Sequence, residues 1–287
     1  MDVYAILGFP VAHSLSPAMH NSALEALGID ARYVAFEVAP ERLPDAVRGL
    51  RALGVRGANI TVPHKIAILP LLDAVDAIAQ HVGAVNTLLR DGDRLIGTNT
   101  DAEGLARALR EAGVQLAGAR VTVLGAGGAA RASVVGLAQS GVRRIHVAAR
   151  QLERARALAD DLRPKLPGTE LRAGGLEAEE LTLAFAETDL LVQATSATLS
   201  DRPEAEAFVS GLPVAALPST AVVTDLVYKP LQTSLLRAAA VRGLTTVDGL
   251  GMLLHQGALA FERWTGQGAP LGPMRAAMLA RLQHTDM

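Results

Sequence analysis

Lys65 is the first residue of this chain whose type points to chemistry. The chain has 27 basic residues, and only three of them (Lys65, Lys165 and Lys229) are lysines. A lysine amine can lose its proton near neutral pH, whereas an arginine guanidinium cannot. Lys65 closes the segment NITVPHK at 59–65, which is typical of a strand ended by a proline. We therefore expect Lys65 to lie at a crevice beyond a strand end, with an ordinary surface lysine as the alternative.

Asp101 is the carboxylate that could serve such an amine. It stands in the segment GTNTDAEG at 97–104, just before a predicted helix. A carboxylate beside a lysine orients the amine and tunes its acid/base strength. The alternative is that Asp101 is only the N-cap of the helix that follows.

Hydroxyl groups gather in the loop predicted after the first strand. Ser14 and Ser16 flank one residue of the segment HSLSP at 13–17, so in an extended loop both hydroxyls can face the same way. Ser16 also precedes Pro17, and a serine followed by proline suits the start of a helix. A helix N-cap is therefore the alternative for Ser16.

Further polar side chains extend this set. Asn59 and Thr61 alternate along one predicted strand, so they share one of its faces. The segment GAVNT at 83–87 adds Asn86. Hydroxyls, amides, one amine and one carboxylate together suit a small polyhydroxylated carboxylic acid better than an apolar ligand or a phosphate.

A glycine-rich turn between a predicted strand and a predicted helix is a second motif. The strand at 120–124 is followed by GAGGAAR at 125–131, which fits the pattern G-x-G-x-x-A. Gly125 permits a tight turn, Gly127 lets the backbone approach a pyrophosphate, and Ala130 allows close packing of the helix. The helix N-terminus then offers amides and a partial positive charge to phosphates. Dinucleotide binding is the favoured interpretation, and a tight turn without a ligand is the alternative.

Two arginines indicate which dinucleotide the sequence favours. An NAD site places an acidic side chain at the end of the next strand, where the ribose 2′-hydroxyl binds. Here the strand over 145–149 leads into Arg150, and Arg154 follows one helical turn later. Both guanidiniums could reach a 2′-phosphate through charge-assisted contacts. NADP is therefore favoured over NAD, with two solvated arginines in an arginine-rich chain as the alternative.

Alternating strand and helix patterns predict the framework that must position these groups. The 287 residues suggest about two domains, and the alternation predicts an α/β architecture with mostly parallel sheets. A hairpin is predicted around Asp91-Gly92. The predicted strands span 4–7, 32–37, 57–61, 84–89, 120–124, 144–148, 190–194 and 222–226. The predicted helices span 17–27, 40–53, 102–112, 129–140, 153–162, 231–240 and 252–265.

Changes in this pattern predict the domain limits. The chain leaves the α/β pattern near Asp248-Gly249 for a terminal helical segment. We expect a first domain over 1–101, completed by C-terminal helices over 248–287. The second domain, over 102–247, contains the glycine-rich turn.

Composition narrows the class of protein. The 27 basic residues nearly balance 29 acidic ones, so no strong basic field is available and nucleic-acid binding is not expected. The absence of cysteine excludes disulfides, thiolate catalysis and zinc-thiolate sites. No apolar run approaches the roughly 20 residues needed to cross a bilayer, and the N-terminus lacks the features of a signal peptide. We therefore expect a cytoplasmic protein without membrane contact. A metal site is not expected either, since the four histidines His13, His20, His64 and His81 show no metal-binding spacing.

Together, the motifs resemble those of the shikimate dehydrogenase family, in family order over nearly the whole chain. The matching segments are HSLSP at 13–17 with HN at 20–21, NITVPHK at 59–65, GAVNT at 83–87, NTD at 99–101, GAGGAAR at 125–131, DLVYKP at 225–230, GLGML at 249–253, QGA at 256–258 and FERWTG at 261–266. The resemblance implies an N-terminal α/β substrate domain with a mainly parallel sheet, a Rossmann-type NADP-binding domain, and a cleft between them. It implies reversible, NADPH-dependent reduction of 3-dehydroshikimate to shikimate in aromatic amino acid biosynthesis.

The resemblance also implies roles for individual residues. By similarity, Lys65 is the catalytic acid/base and Asp101 is its partner. The implied shikimate-binding residues are Ser14, Ser16, Thr61, Lys65, Asn86, Asp101, Tyr228 and Gln256. The implied NADP-binding residues are Gly125, Ala126, Gly127, Gly128, Ala129, Ala149, Arg150, Arg154 and Gly249. Monomers and homodimers both occur in the family, so either assembly is expected.

Other functions remain as alternatives. A quinate/shikimate or aminoshikimate dehydrogenase would share Lys65 and Asp101. A non-catalytic NADP-binding regulator would have no reason to keep that pair, so their presence speaks against it.

Three departures from the family pattern bear on these alternatives. Phe9 stands where the family usually carries Asn, and Ala-Arg-Gln at 149–151 replaces Asn-Arg-Thr. The segment QATSAT at 193–198 replaces a pattern that runs Asn-Ala-Thr and then Gly-Met. The last two departures concern cofactor preference.

Overall fold

Two six-stranded sheets carry the part of the chain that the computed structural model describes, residues 1–199 and 203–283. The strands are β1 (Asp2–Gly8), β2 (Ala31–Glu37), β3 (Gly57–Ile60), β4 (Ala74–Val75), β5 (Thr87–Asp91), β6 (Arg94–Thr98), β7 (Arg120–Leu124), β8 (Arg144–Ala148), β9 (Glu170–Gly174), β10 (Leu190–Gln193), β11 (Val222–Asp225) and β12 (Thr245–Val247). The α-helices are α1 (Ser16–Ala26), α2 (Leu43–Ala52), α3 (His64–Ala67), α4 (Ala77–Val82), α5 (Asp101–Glu111), α6 (Gly128–Gln139), α7 (Leu152–Leu162), α8 (Ala178–Ala186), α9 (Pro203–Ser210), α10 (Ser234–Val241), α11 (Leu250–Thr265) and α12 (Leu271–Gln283). Short 3₁₀ turns span Pro40–Arg42, Leu69–Leu71, Arg163–Lys165 and Val214–Ala216.

The chain divides into two units, each with one of the sheets. The first unit comprises Met1–Thr100 and Leu254–Met287, and the second unit comprises Asp101–Leu253. The predicted α/β class with mostly parallel sheets is confirmed. The functional roles expected for the two domains stay predictions.

The sheet of the first unit has the order β2-β1-β3-β5-β6-β4. β1 runs parallel to β2 and β3, whereas β5 runs antiparallel to β3 and β6. The chain therefore adds β2 on one side of β1 and then β3 on the other side. Open sheets of this kind bind ligands outside the carboxyl ends of the strands where the strand order reverses. In this unit that point lies between β1 and β3.

A hydrophobic core covers this sheet. Leu43, Val47 and Leu50 recur at helical spacing on α2 and are buried in one cluster with Ala5 of β1 and Ile60 of β3. The spacing puts the three α2 side chains on one face of the helix, so burying that face fixes α2 against the strands that lead to the predicted site.

Trp264 of α11 supplies a second packing contact in the first unit. Its ring stacks on Tyr4 with centroids 5.1 Å apart, and its Nε1 donates to Leu88 O at 2.9 Å. Gly57 is required at this place because a Cβ there would collide with the Trp264 ring. The indole thereby ties α11 to the sheet.

The sheet of the second unit has the order β12-β11-β10-β7-β8-β9, and all its strand pairs are parallel. Numbered along the chain from β7, this is the strand order of a Rossmann fold. The order reverses between β7 and β10, where such folds bind a dinucleotide. α5 packs closely on α6, since a Cβ at Gly136 would collide with the Ala102 backbone.

Two predicted elements differ from the structure in their limits. The strand predicted over 84–89 begins only at Thr87, because Val85 N donates to Lys65 O (2.8 Å) instead of to a neighbouring strand. The predicted hairpin joins β5 to β6, but its turn lies one residue later than expected, since Asp91 pairs with Arg94.

Several elements were not predicted, and the three strands among them share one physical reason. β4, β9 and β12 lie at the edges of their sheets, so they are only partly buried and lack an apolar run.

No α-helix of the described residues is long and apolar enough to span a membrane. Within the same ranges, no group of three or more His, Asp or Glu side chains is arranged to hold a metal ion.

Candidate active site

Beyond the carboxyl end of β1, Ser14 lies in the loop to α1 and Ser16 is the first residue of that helix. α1 begins at Ser16, and Ser14 Oγ accepts a hydrogen bond from Ser16 N at 3.2 Å. The N-cap residue is Leu15, so Ser16 is not the N-cap that the sequence allowed. The two serines are thus fixed relative to each other, with Ser16 buried at the start of the helix.

Thr61 also lies beyond the carboxyl ends of the strands in the first sheet. β3 ends at Ile60, so Thr61 follows the strand, and its N donates to Leu7 O of β1 at 2.9 Å. The two chain segments approach so closely that a Cβ at Gly8 would collide with the Thr61 methyl group. Thr61 therefore lies where β1 and β3 end, at the point where the strand order reverses.

Lys65 follows on the short helix α3 and is partly buried. His64 anchors this helix, because its ring is fully buried and Nε2 lies 2.7 Å from Val38 O. The backbone of Lys65 is held as well, since its carbonyl accepts from Val85 N. The backbone that carries the Lys65 amine is therefore held by two separate hydrogen bonds.

Asn86 is the centre of a buried hydrogen-bond network in the first unit. Its Oδ1 accepts from Thr87 Oγ1 (2.9 Å) and from Thr100 N (2.8 Å). Its Nδ2 donates to Thr100 Oγ1 (2.9 Å) and to Gln256 Oε1 (3.3 Å) on α11. These partners assign the donor end of the Asn86 amide and bring two predicted binding residues, Asn86 and Gln256, together.

Asn59 supports this network from within β3, a role that sequence reasoning missed. Its Nδ2 donates to Thr87 Oγ1 (3.1 Å) and Asn86 O (3.2 Å), and its Oδ1 accepts from Tyr33 OH (2.7 Å). The Tyr33 ring stacks on His20 with centroids 4.3 Å apart. Burial lowers the pKa of His20 to about 3, so this ring is neutral near pH 7. The sequence signal for the supporting role of Asn59 was its place as a polar residue inside an otherwise apolar strand.

The glycine-rich turn lies between β7 and α6 in the second unit, beside the reversal between β7 and β10. Gly125 has a φ of +118°, which favours glycine, and a Cβ there would lie 2.8 Å from the Thr195 methyl carbon. Gly127 is the N-cap of α6, and a Cβ there would meet nothing within 4 Å. The open space in front of the first amides of α6 fits a pyrophosphate. The other predicted residues of the turn are Ala126, Gly128 and Ala129.

The end of β8 carries the predicted 2′-phosphate site. Ala149 is buried, whereas Arg150 and Arg154 are exposed, the latter in the first turn of α7. Within residues 1–199 and 203–283, neither of these two arginines forms an ion pair, although Arg156 pairs with Glu153 at 3.0 Å. Their guanidiniums therefore fit an anionic ligand at this strand end.

Three further predicted residues lie in the second unit. Asp101 starts α5 and is 3% exposed, and Tyr228 is partly buried in the loop between β11 and α10. Gly249 follows β12, and a Cβ there would lie 2.5 Å from Leu226 O. Only glycine allows this approach of two backbones.

The segment at 193–198, which departs from the family pattern, folds on itself. Gln193 is buried at the end of β10, and its Nε2 donates to Thr195 O (3.1 Å) and Thr198 Oγ1 (3.0 Å). Its Oε1 accepts from Thr195 N at 2.7 Å. The Gln193 amide is therefore satisfied inside the protein rather than presented to a ligand.

Known proteins resemble this chain over nearly its whole length. Residues 6–88 match the shikimate dehydrogenase substrate binding domain, residues 106–205 match shikimate / quinate 5-dehydrogenase, and residues 249–279 match the shikimate 5′-dehydrogenase C-terminal domain. A shikimate dehydrogenase (NADP(+)) of Symbiobacterium thermophilum is 47% identical over 282 residues, 98% of this chain and 95% of that protein. The chain belongs to the shikimate dehydrogenase family.

Solved structures of the shikimate dehydrogenase family share this fold. The shikimate 5-dehydrogenase of Thermus thermophilus, in complex with NADP(H) and shikimate, is 41% identical with a TM-score of 0.85, and the match covers 98% of this chain and 100% of that one. The quinate dehydrogenase of Corynebacterium glutamicum, in complex with NAD, is 32% identical with a TM-score of 0.86, covering 97% and 99%. The family and the two-domain fold predicted from the motifs are confirmed.

Proposed function

We propose that this chain catalyses the reversible, NADPH-dependent reduction of 3-dehydroshikimate to shikimate. The observation that carries the proposal is the set of polar groups at the β1–β3 reversal of the first unit. There, Lys65 stands on an anchored helix, and Asn86 and Gln256 present a preset pair of amides. The substrate is a small polyhydroxylated carboxylic acid, which such groups suit.

Lys65 is the catalytic acid/base in this proposal, and Asp101 is its partner. NADPH supplies the hydride when it is bound. Lys65 gives a proton to the substrate oxygen during reduction and takes it back in the reverse direction, and Asp101 orients and tunes the amine. The contact of His64 with Val38 fixes the helix from which the Lys65 side chain extends. A fixed starting point of this kind helps to orient a proton-transferring group.

The remaining binding groups are assigned by their chemistry and by the family. Ser14, Ser16, Thr61, Asn86, Gln256 and Tyr228 bind the hydroxyl and carboxylate groups of the substrate through hydroxyls and amides. The domain over 1–101 with helices over 248–287 binds the substrate, which the match of residues 6–88 to a substrate-binding domain supports.

The second domain, over 102–247, binds NADP(H). The turn from Gly125 to Ala129 holds the pyrophosphate, and Arg150 and Arg154 hold the 2′-phosphate. Ala149 of this domain and Gly249, two residues beyond its end, line the site. The NADP(+)-dependent relative from Symbiobacterium thermophilum supports the same cofactor.

A second candidate is activity on quinate with NAD. It is favoured by the match of residues 106–205 to shikimate / quinate 5-dehydrogenase and by the likeness to the quinate dehydrogenase of Corynebacterium glutamicum. The exposed Arg150 at the end of β8 argues for the 2′-phosphate of NADP instead. A cytoplasmic location and the choice between monomer and homodimer stay predictions.

The test is the near-ultraviolet absorbance of NADPH formed from NADP⁺ and shikimate, measured beside NAD⁺ and beside quinate. We expect turnover with NADP⁺ and shikimate to be the fastest of the four combinations. Faster turnover with NAD⁺ or quinate would favour the second candidate. No turnover with any pair, despite measurable NADP⁺ binding, would favour a regulator.

A further inference from the structure

Asp225 is a buried carboxylate to which the proposed function gives no role. It ends β11 and is 0% exposed. Its Oδ2 accepts hydrogen bonds from Thr198 Oγ1 and from Thr233 Oγ1, both at 2.8 Å, and its Oδ1 accepts from Val227 N at 3.0 Å. A single side chain therefore holds three separate points of the chain.

These three points belong to loops that lie beyond the carboxyl ends of the strands in the second sheet. Thr198 lies in the loop after β10, and it also accepts from Gln193 Nε2. Val227 lies in the loop after β11, and Thr233 is the N-cap of α10, where its Oγ1 accepts from Leu236 N. Asp225 thus joins the loop after β10 to both ends of the loop after β11.

The loops that Asp225 joins carry residues of the proposed site. Tyr228 directly follows Val227, whose amide donates to Asp225. The loop after β10 contacts the glycine-rich turn, since a Cβ at Gly125 would lie 2.8 Å from Thr195. The three groups that donate to Asp225 are themselves outside the set of residues proposed to bind substrate or cofactor.

The donors around Asp225 call for an ionised carboxylate. Both threonine hydroxyls already accept another hydrogen bond, so each is free to donate its one hydrogen to Oδ2. An amide in place of the carboxylate would present N–H groups to one side of this ring of donors. Burial raises the pKa of Asp225 to about 6, against the lowering effect of Val227 N, Thr198 and Thr233, so the group is ionised at pH 8.

We propose that Asp225 is a positioning residue that sets the affinity for the substrate by holding the loop of Tyr228 in its binding arrangement. The inference rests on the proposed function, because Tyr228 is its link to the substrate. Asp225 acts through Val227 and the two threonines rather than on the reacting atoms.

The test compares Asp225→Asn with the wild type at pH 8, using shikimate and NADP⁺. We expect the KM for shikimate to rise about tenfold, the order of one lost hydrogen bond, with kcat within about threefold. The Kd for NADP⁺, from calorimetry, should stay within about twofold, because the glycine-rich turn keeps the hydrogen bonds from Gly125 N to Ala148 O and from Arg131 N to Gly127 O. A merely structural role would not separate KM from kcat and from cofactor affinity in this way.

Asp189→Asn is the matched control. Asp189 directly precedes β10, so it lies at the amino ends of the strands, opposite to Asp225. It also accepts three hydrogen bonds, from N, Nε and Nη2 of Arg120 at 2.8, 3.1 and 2.9 Å. We expect this variant to lose stability while its KM for shikimate stays unchanged. An equal rise of KM in both variants would overturn the inference.

A second variant covers the case in which Asp225→Asn does not fold. Thr198→Val keeps the side-chain shape but removes one donor to Asp225, and we expect it to raise the KM for shikimate about threefold. A KM within twofold of the wild type in a folded Asp225→Asn variant, or failing that in Thr198→Val, overturns the inference while leaving the proposed function intact. Absence of turnover in the wild type would instead overturn the proposed function, and the inference with it.

Discussion

Lys65, one of only three lysines among the 27 basic residues, is the residue on which the proposed chemistry depends. Lys65→Ala should abolish turnover and leave the Kd for NADP⁺ unchanged, since Lys65 lies outside the second unit that contains the glycine-rich turn. Lys65→Arg keeps the charge but cannot exchange a proton near neutral pH. We therefore expect Lys65→Arg to lose activity as well, by about 10²-fold to 10⁴-fold in kcat. Steady-state kinetics and calorimetry measure the two quantities.

Lys165→Arg is the control for this pair of variants. Lys165 pairs with Asp161 at 2.9 Å on the surface of the second unit, so replacing one cation by another there should leave kcat unchanged. Near-normal turnover in Lys65→Ala would remove the lysine from the mechanism. Near-normal turnover in Lys65→Arg would mean that only its charge is needed.

Strands and helices account for how far the sequence alone predicted this molecule. β7 and β8 have the limits that the sequence predicted, because strands inside a parallel sheet are rich in buried apolar residues. β9 and β12 lie at the sheet edges, where exposed residues such as Thr245 interrupt any apolar pattern. Position in the sheet therefore decided which strands were visible in the sequence.

The candidate site divides in a similar way. Local patterns indicated Ser14, Lys65 and the glycine-rich turn, because a loop or turn of this kind is contiguous in sequence. The supporting contacts of Asn59 and of Asp225 were not predictable, since each joins segments that are far apart along the chain. Only the fold determines which distant polar groups meet.

Two helical glycines provide a test of packing between elements. Gly136 lies on α6 where a Cβ would collide with the Ala102 backbone of α5, and a backbone cannot move aside as a side chain does. Gly136→Ala should therefore destabilise the protein by about 1–3 kcal/mol. The free energy of unfolding in urea, followed by circular dichroism, measures this loss.

Gly49→Ala is the matched control, because Gly49 also lies inside a helix, α2, but a Cβ there meets nothing within 4 Å. This change should stabilise the protein by about 0.5–1 kcal/mol through the better helix propensity of alanine. A Gly136→Ala variant as stable as the wild type would mean that α5 and α6 can separate without cost.

At the scale of the whole molecule, the two units carry buried groups whose effects on stability depend on pH in opposite directions. Burial lowers the pKa of His20 in the first unit to about 3, so between about pH 6.5 and 3 the unfolded state binds the extra proton. The first unit therefore loses stability as pH falls through this window. Burial raises the pKa of Asp225 in the second unit to about 6, so that carboxyl adds stability as pH falls from about 6 to 4. The effect of Asp225 on stability is opposed by that of His146 in the same unit, because burial lowers the pKa of His146 as it does that of His20.

Acidification should therefore separate the unfolding of the two units. Trp264, the single tryptophan, belongs to the first unit, so its fluorescence follows that unit, whereas far-ultraviolet circular dichroism follows both. From pH 7 to 5 the first unit should lose about 2 kcal/mol through His20, at 1.36 kcal/mol per unit of pKa difference. We expect the urea midpoint by fluorescence to fall below the midpoint by circular dichroism at pH 5.

His20→Phe removes the titrating group while keeping a ring that can stack on Tyr33. The gap between the two urea midpoints at pH 5 should shrink in this variant, even if the larger ring shifts both midpoints. An unchanged gap would mean that another group of the first unit takes up the proton. Coincident midpoints at pH 5 in the wild type would mean that the two units unfold as one, so that the proton uptake of His20 is shared by the whole chain.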